Sequence, residues 1–399
     1  MSAESIVKNP PFPKYYGDEF LVIERGEGSY LFDPTGRKYL DFGAGIAVNA
    51  LGYGREDLAR IAYEQMKKLI HISNLWMNQP AMELGEKLLK LGNFEAVHLG
   101  NSGSEANEAA LKFARLYALR KKGEGHHKIL SFSGSFHGRT MGAVSVTSTE
   151  KYRAPFEPLI PGVVFGEFNN CESAESILDD SFCAVIAEPI QGEGGINRMT
   201  PEFSAVLNKL CRKHDIILIA DEVQVGLARC GCALSSELVG LDPDIVTLAK
   251  PLAGGLPLSA TLIKKKINDL IHLGDHGGTF GGGPVTTAVA CFVVDTLLDP
   301  GFLKKVNDKG EYLKKKLEIL QKEFPFIEEI RGIGLLQGVK LGEDKSALIP
   351  EFLSKARDKG LILLRAGKDI IRIAPPLVIE NGEIDTGIEI MKSVLKEIV

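Results

Sequence analysis

The chain has 399 residues, with 47 Lys and Arg against 52 Asp and Glu, a net charge of −5. That length exceeds the ~250–300 residues at which a single core stops growing, so two domains are expected. Its composition, 44% hydrophobic and 25% charged, is that of an ordinary globular protein. No cluster of Lys and Arg suggests a nucleic-acid groove, and no run of about 18 apolar residues offers a membrane span.

The opening Met1-Ser-Ala-Glu-Ser-Ile-Val-Lys8 lacks the apolar stretch of a signal peptide, so a cytoplasmic location is expected. The six cysteines are scattered. Cys230-Gly-Cys232, the only close pair, has neither CxxC spacing nor a histidine pair beside it. Free structural thiols and no metal site are expected.

In chain order, the short runs Phe20–Ile23, Ser29–Asp33 and Lys38–Asp41 alternate with Gly- and Pro-rich turns and predict an antiparallel meander. Helical spacing follows over 55–69 and 80–91. From about 93 to 298, strands around Leu99, Ile129, Val163, Ala184–Glu188, Ile216–Asp221, Ile245–Lys250 and Leu258–Ile263 alternate with helices near 104–120, 205–212 and 286–298. That alternation predicts a doubly wound α/β domain with a mostly parallel sheet. A charged helix over 302–322 opens the remainder. Strands near 327–333, 335–340 and 370–373 and helices over 350–359 and 382–397 complete a smaller α+β domain. The N-terminal meander is expected to pack with it, since chain ends often meet. The expected division is 1–54 and 301–399 for the small domain and 55–300 for the large one.

Three buried-strand runs end in chemistry: Ala184 to Glu188, Ile216 to Asp221 and Ile245 to Lys250. Ligands of open α/β sheets bind beyond the carboxyl ends of the strands. A lysine and an acid delivered there suit pyridoxal phosphate, which needs a lysine Schiff base and an acid at its pyridine nitrogen. Gly100-Asn-Ser-Gly-Ser-Glu-Ala-Asn107 joins a strand to a helix, and Ser102 and Glu105 have capping-box spacing. The amides of Gly103 and Ser104 then point outward at a helix start, an anion site fit for a small phosphate. The GxGxxG pattern of a dinucleotide site is missing. Thr279, among glycines in Gly277–Gly283, is a further hydroxyl for the phosphate. Phe136 could cover the ring, Gln224 could reach its phenolic oxygen, and Glu188 could support Asp221. A neutral Lys250 amine would carry protons. Arg139 and Arg372 are forks suited to carboxylates. Arg372 sits in an apolar strand and should have a partner, for which Glu193 is the candidate.

These residues resemble the class III (subgroup II) aminotransferases of fold type I. The resemblance is carried by Tyr39–Val48, Asn101–Ala109, Ser135–Thr140, Ala187–Gly195, Asp221–Gln224, Leu248–Pro257 and Arg372–Leu377, and it covers nearly the whole chain. It implies a seven-stranded, mostly parallel large domain, a small domain built from both chain ends, and a homodimer with active sites at the interface. It implies pyridoxal phosphate on Lys250, Asp221 at the pyridine nitrogen, Gln224 at the ring oxygen and Phe136 on the ring. Ser102, Gly103 and Ser104 would hold the phosphate, and Thr279 would reach it from the other subunit.

His71–Pro80 is most similar to the branch that acts on N-acetylornithine. For that branch the implied reaction moves the δ-amino group to 2-oxoglutarate in two half-reactions. Arg139 would grip the α-carboxylate of N-acetylornithine. Arg372 would be masked by Glu193 in that half-reaction and freed for glutamate or 2-oxoglutarate. Ornithine, 4-aminobutyrate and N-succinyl-diaminopimelate aminotransferases would use nearly the same residues. Arg139 argues against an aminomutase of the family, which lacks it. A non-catalytic protein on this scaffold would be expected to lack Lys250 or Asp221. The chain departs from the family pattern at Gly278, Gly283, Val225, Ala228 and Cys230–Cys232.

Overall fold

The structure, a computed structural model, describes residues 6–8, 10–17 and 19–398; the leader reading of residues 1–5 lies outside them. Five short strands come first: β1 (Ile6–Lys8), β2 (Glu19–Leu21), β3 (Arg25–Glu27), β4 (Tyr30–Phe32) and β5 (Lys38–Asp41). β3, β4 and β5 form the antiparallel meander. β2 does not join it. It pairs with β1 instead, because Arg25–Glu27 occupies the free edge of β4.

The central segment contributes β6 (Ala96–Gly100), β7 (Lys128–Phe132), β8 (Val163–Gly166), β9 (Phe182–Ala187), the small hairpin β10 (Ile190–Gln191) and β11 (Asn197–Arg198), then β12 (Ile217–Asp221), β13 (Ile245–Leu248) and β14 (Ser259–Ile263). Seven of these form one sheet in the order β6-β14-β13-β12-β9-β7-β8. β14 runs antiparallel to both neighbours, and the other pairings are parallel.

Every residue of β9, β12, β13 and β14 is buried, as strands covered on both faces must be. The two faces follow the strand period of two. Ile217 and Ile219 pack with Ala109, Phe113 and Tyr117 of the helix Gly103–Lys122. Leu218 and Ala220 face Phe203 and Leu207 of the helix Pro201–Lys213. Each such fully buried Leu, Ile or Phe contributes roughly 1.5–3 kcal/mol. The flanking helices start where their caps dictate: Ser102, Thr200 and Asp299 each accept an amide of their own first turn.

The C-terminal part holds β15 (Ile327–Ile333), β16 (Leu336–Leu341), β17 (Leu361–Ile362), β18 (Leu364–Ala366) and β19 (Ile370–Ile373). Four of these form an antiparallel sheet in the order β15-β16-β19-β18. β17 pairs in parallel with β5, so the two ends of the chain share a sheet. Among the described residues no single helix is long and apolar enough to cross a membrane.

This topology places the site. β9, β12 and β13 are parallel neighbours, with Ala220 opposite Ala187 and Asp221 opposite Thr247. Their carboxyl ends deliver Glu188, Asp221 and Lys250 to one edge of the sheet. Lys250 itself lies past the end of β13, at the start of a 3-10 turn, Lys250–Ala253.

Candidate active site

A cavity of about 330 Å³ opens at that edge, within the size range of small-molecule sites. Nine of the residues singled out from the sequence line it: Ser102, Gly103, Ser104, Phe136, Glu188, Glu193, Asp221, Gln224 and Lys250. At one end stands the start of the helix Gly103–Lys122. Ser102 Oγ accepts the Glu105 amide at 3.2 Å. The return half of the expected box is shared: the Glu105 carboxylate takes the Asn101 amide at 2.7 Å and is also stabilised by the Ser102 amide. Gly103 lies under Val223, and a Cβ there would come within 2.6 Å of the valine side chain. Position 103 therefore has no room for a side chain where the helix start packs against Val223.

Asp221 anchors the other end. Its Oδ2 accepts Asn107 Nδ2 at 2.8 Å and His137 Nδ1 at 2.7 Å, and its Oδ1 accepts the Val223 amide at 3.0 Å. Asn107 is held in turn by Thr247 Oγ1 at 2.9 Å and by the His137 carbonyl. His137 is buried, and its Nε2 has no partner. Neither Asn107 nor His137 was singled out from the sequence. The available signals were that Asn107 sits four residues after Gly103, and so on the same helix face, and that His137 adjoins Phe136.

Lys250 is half-buried on the cavity wall. Burial, and then the Arg372 charge, push its pKa down to about 8, against the opposing pull of Glu193 and Asp221. A minority of the amine, about a fifth at pH 7.4, is therefore neutral, far more than for an ordinary lysine. Glu188 is only 6% exposed. It accepts the amides of Phe136 at 3.0 Å and Gly192 at 3.1 Å, tying together two loops of the site. Burial raises its pKa well above the usual carboxylate range.

Glu193 meets Arg372 on β19: Arg372 Nη1 donates to the Glu193 carboxylate in a short contact. Burial disfavours the charged carboxylate, but Arg372 and Lys250 outweigh it, and the Glu193 pKa falls below its ordinary value. Gln224 bridges the pair. Its Nε2 donates to Glu193 at 3.3 Å, and its Oε1 accepts from Arg372 at 3.3 Å. The expectation for Gln224 named only a ring oxygen, so this bridge is a further contact.

Arg139 and Thr279 are not on the cavity wall of this chain. Arg139 is exposed beside it, its guanidinium 3.7 Å from the Tyr152 ring and its amide donating to Ser104 Oγ at 3.2 Å. Thr279 is exposed in its glycine loop, where Asn74 Nδ2 donates to the Gly278 carbonyl at 2.6 Å. Of the departures from the family pattern, Ala228 adopts φ +72°, a conformation that costs an L-residue about 1–2 kcal/mol. Hydrogen bonds from Leu227 and Ala228 to the Ala233 and Cys232 carbonyls hold it there. The neighbouring Arg229 is fully buried and donates to the Leu335 and Pro375 carbonyls.

The donor set fits pyridoxal phosphate: a helix start for the phosphate, a fixed carboxylate for a protonated ring nitrogen, and an amine on the same cavity for the aldehyde.

Comparison with known proteins agrees. Residues 12–395 match the family described as aminotransferase class-III. A probable mitochondrial acetylornithine aminotransferase of Dictyostelium discoideum is 46% identical over 382 residues, covering 94% of this chain and 83% of that protein. The crystal structure of N-acetylornithine aminotransferase from Stenotrophomonas maltophilia is similar with a TM-score of 0.83 at 33% identity, covering 94% of this chain and 95% of that one. An ornithine aminotransferase structure from Toxoplasma gondii, described with partial occupancy of PLP at its active site, has a TM-score of 0.88 at 29% identity, covering 94% and 91%.

Proposed function

We infer that this chain, which belongs to the class-III aminotransferases and works with pyridoxal phosphate, transfers the δ-amino group of N-acetylornithine to 2-oxoglutarate. The products are N-acetylglutamate 5-semialdehyde and glutamate. One observation carries this reading: Glu193, which lines the cavity together with Lys250, covers the buried Arg372 behind it. A free Arg372 would attract a second carboxylate beside the reacting carbon, where N-acetylornithine has only methylenes and an amine. A covered Arg372 admits it. The relatives' names point the same way.

When bound, the cofactor supplies an aldehyde that takes up amino groups and a protonated ring that withdraws electrons. The rest is the work of this chain. Ser102, Gly103 and Ser104 hold the phosphate at the helix start. Asp221, fixed by Asn107 and His137, holds the proton on the ring nitrogen. Phe136 and Val223 line the cavity and would shield a bound ring from water. Lys250, its amine partly neutral, takes the proton from the carbon that bears the transferred nitrogen and returns it in the reverse sense. Glu188 braces the Phe136 and Gly192 loops around them. Arg139 grips the α-carboxylate of N-acetylornithine. Arg372, released from Glu193, takes the α-carboxylate of glutamate or 2-oxoglutarate.

The working unit in this reading is a homodimer in which Thr279 serves the partner's phosphate. Support comes from the exposed apolar residues near that loop: Leu75, Trp76, Met77 and Phe280 are 87%, 71%, 78% and 67% exposed. His71 and Phe280 stack at 5.2 Å between ring centroids. The domains are read as 1–54 with 301–399, and 55–300. The six free cysteines suit a reducing compartment, here taken as the cytoplasm.

The test is a single-turnover amine panel on the holoenzyme, followed through the cofactor spectrum. N-acetylornithine and glutamate should convert the cofactor fast, and ornithine, 4-aminobutyrate and N-succinyl-diaminopimelate slowly. Faster conversion by one of the latter three would move the substrate to that amine.

A further inference from the structure

Glu193 stands in the loop between β10 and β11, in the stretch Gly192-Glu-Gly-Gly-Ile196. Three glycines in five residues make such a loop mobile by itself. A carboxylate that must meet Arg372 in one half-reaction and leave it in the other needs a fixed pivot.

The pivot is visible in the C-terminal sheet. Arg331 on β15 lies opposite Gly338 on β16, and Gly338 lies opposite Arg372 on β19. Residues directly opposite in a ladder project to the same face. The loop lies across this row with an arginine at each end. Arg372 Nη1 holds the front, at the Glu193 carboxylate and, at 3.4 Å, the Gly192 carbonyl. Arg331 Nη1 holds the back, donating to the Gly195 carbonyl at 3.2 Å and to Asn197 Oδ1 at 2.7 Å. Asn197 Nδ2 then donates to the Gly194 carbonyl at 3.0 Å.

Between the two arginines sits Ile196, buried and at φ +56°. A β-branched residue there is a genuine outlier, and it persists only where its surroundings over-determine it. Gly338 makes the room: a Cβ at that position would come within 2.9 Å of Ile196 Cδ1. The Gly367 amide donates to the Glu193 carbonyl at 2.8 Å, closing the hold on the backbone.

We infer that the row Arg331–Gly338–Arg372 is a specificity device in which Arg331 is a positioning residue. It immobilises the Glu193 backbone, so that covering and uncovering Arg372 is a side-chain rotation and not a loop movement. This deepens the proposed function and rests on it. Without Arg331, Glu193 covers Arg372 less completely, and the site drifts toward substrates that carry a carboxylate next to the reacting carbon.

The experiment compares single-turnover rate constants for N-acetylornithine and for glutamate in the holoenzymes of the wild type, Arg331→Met, Arg331→Lys and Gly338→Ala. The ratio in Arg331→Met should shift toward glutamate by about tenfold, the scale at which small misplacements act. Arg331→Lys, which keeps one donor, should fall between it and wild type. Gly338→Ala, which pushes Ile196 and the loop, should shift the ratio in the same direction and carries the test if Arg331→Met does not fold. Equal loss in both half-reactions, or a ratio within about twofold of wild type, would overturn the device and leave Arg331 a stability residue. If the wild type ignores N-acetylornithine and takes another amine, the substrate reading falls, and the ratio of that amine to glutamate across the same variants still decides the role of Arg331.

Discussion

Asp221 and Glu193 are carboxylates on one cavity, yet they are held in opposite ways. The Asp221 side chain is 4% exposed and takes donors from Asn107, His137 and the Val223 backbone. The Glu193 side chain is 32% exposed, and among the described residues its carboxylate takes hydrogen bonds from the side chains of Arg372 and Gln224. A desolvated carboxylate with satisfied acceptors is costly to disturb. Glu193, a third exposed, can trade the guanidinium for water, but Arg372 is 4% exposed and needs another carboxylate in its place. The difference teaches where this site is rigid and where it adapts. On the proposed function, the Asp221 end presents one charge in both half-reactions. The Arg372 end must present a cation in one and hide it in the other.

Asp221→Asn should break the fixed end. Loss of one preorganised charge costs about 10²–10³-fold, and here the loss should be similar in both half-reactions. An unequal loss, seen in single-turnover rates with N-acetylornithine and with glutamate, would mean that the ring end also discriminates between substrates.

Glu193→Gln removes the charge that covers Arg372 and keeps the shape. It should slow the N-acetylornithine half-reaction by about tenfold, the equivalent of ~1.4 kcal/mol, and leave the glutamate half-reaction nearly unchanged. Equal effects would make Glu193 a second fixed charge and erase the contrast with Asp221.

Lys250 lines the same cavity and feels the charges of both Glu193 and Asp221, and pH reads its state. Its pKa in the fold, about 8, lies below the ordinary 10.5. The rate at which apoprotein takes up pyridoxal phosphate should therefore rise by about tenfold per pH unit below 8 and level off above it. The sign for stability is the same. The pocket prefers the neutral amine, and between about 8 and 10.5 the unfolded chain binds more protons, so apoprotein stability gains from Lys250 as pH rises through that window. A flat profile in Lys250→Met, by both uptake and thermal melting, would assign the pH dependence to this amine. A profile unchanged from wild type would assign it elsewhere.

Much of this was legible before the fold. The central strands β9 and β12 are charge-free apolar runs up to their last residue, and solvent exclusion marks them, whereas β6 carries His98 and β7 begins at Lys128. Lys250, Asp221 and Glu188 stood out because each ends such a run with a charge that needs a reason. The hairpin β10–β11, β17 and β18 escaped notice, since elements of two or three residues carry no periodicity. Phe20 was expected in the meander and pairs with Val7, because an edge is filled by whichever segment the fold brings to it. The expected Ser102–Glu105 box is shared with a neighbour, since the Glu105 carboxylate also takes the Asn101 amide.

By itself, then, the sequence determined the elements, the apolar faces and the chemical types delivered to the strand ends, because periodicity and capping act over a few residues. Only the tertiary structure decided who meets whom. Asn107 and His137 converge on Asp221 from 114 and 84 residues away. Gln224 links Glu193 to Arg372, and Arg331, Gly338 and Arg372 share one row of a sheet. Those meetings depend on strand order and register, which are set by the packing of the whole chain and not by any local run of residues.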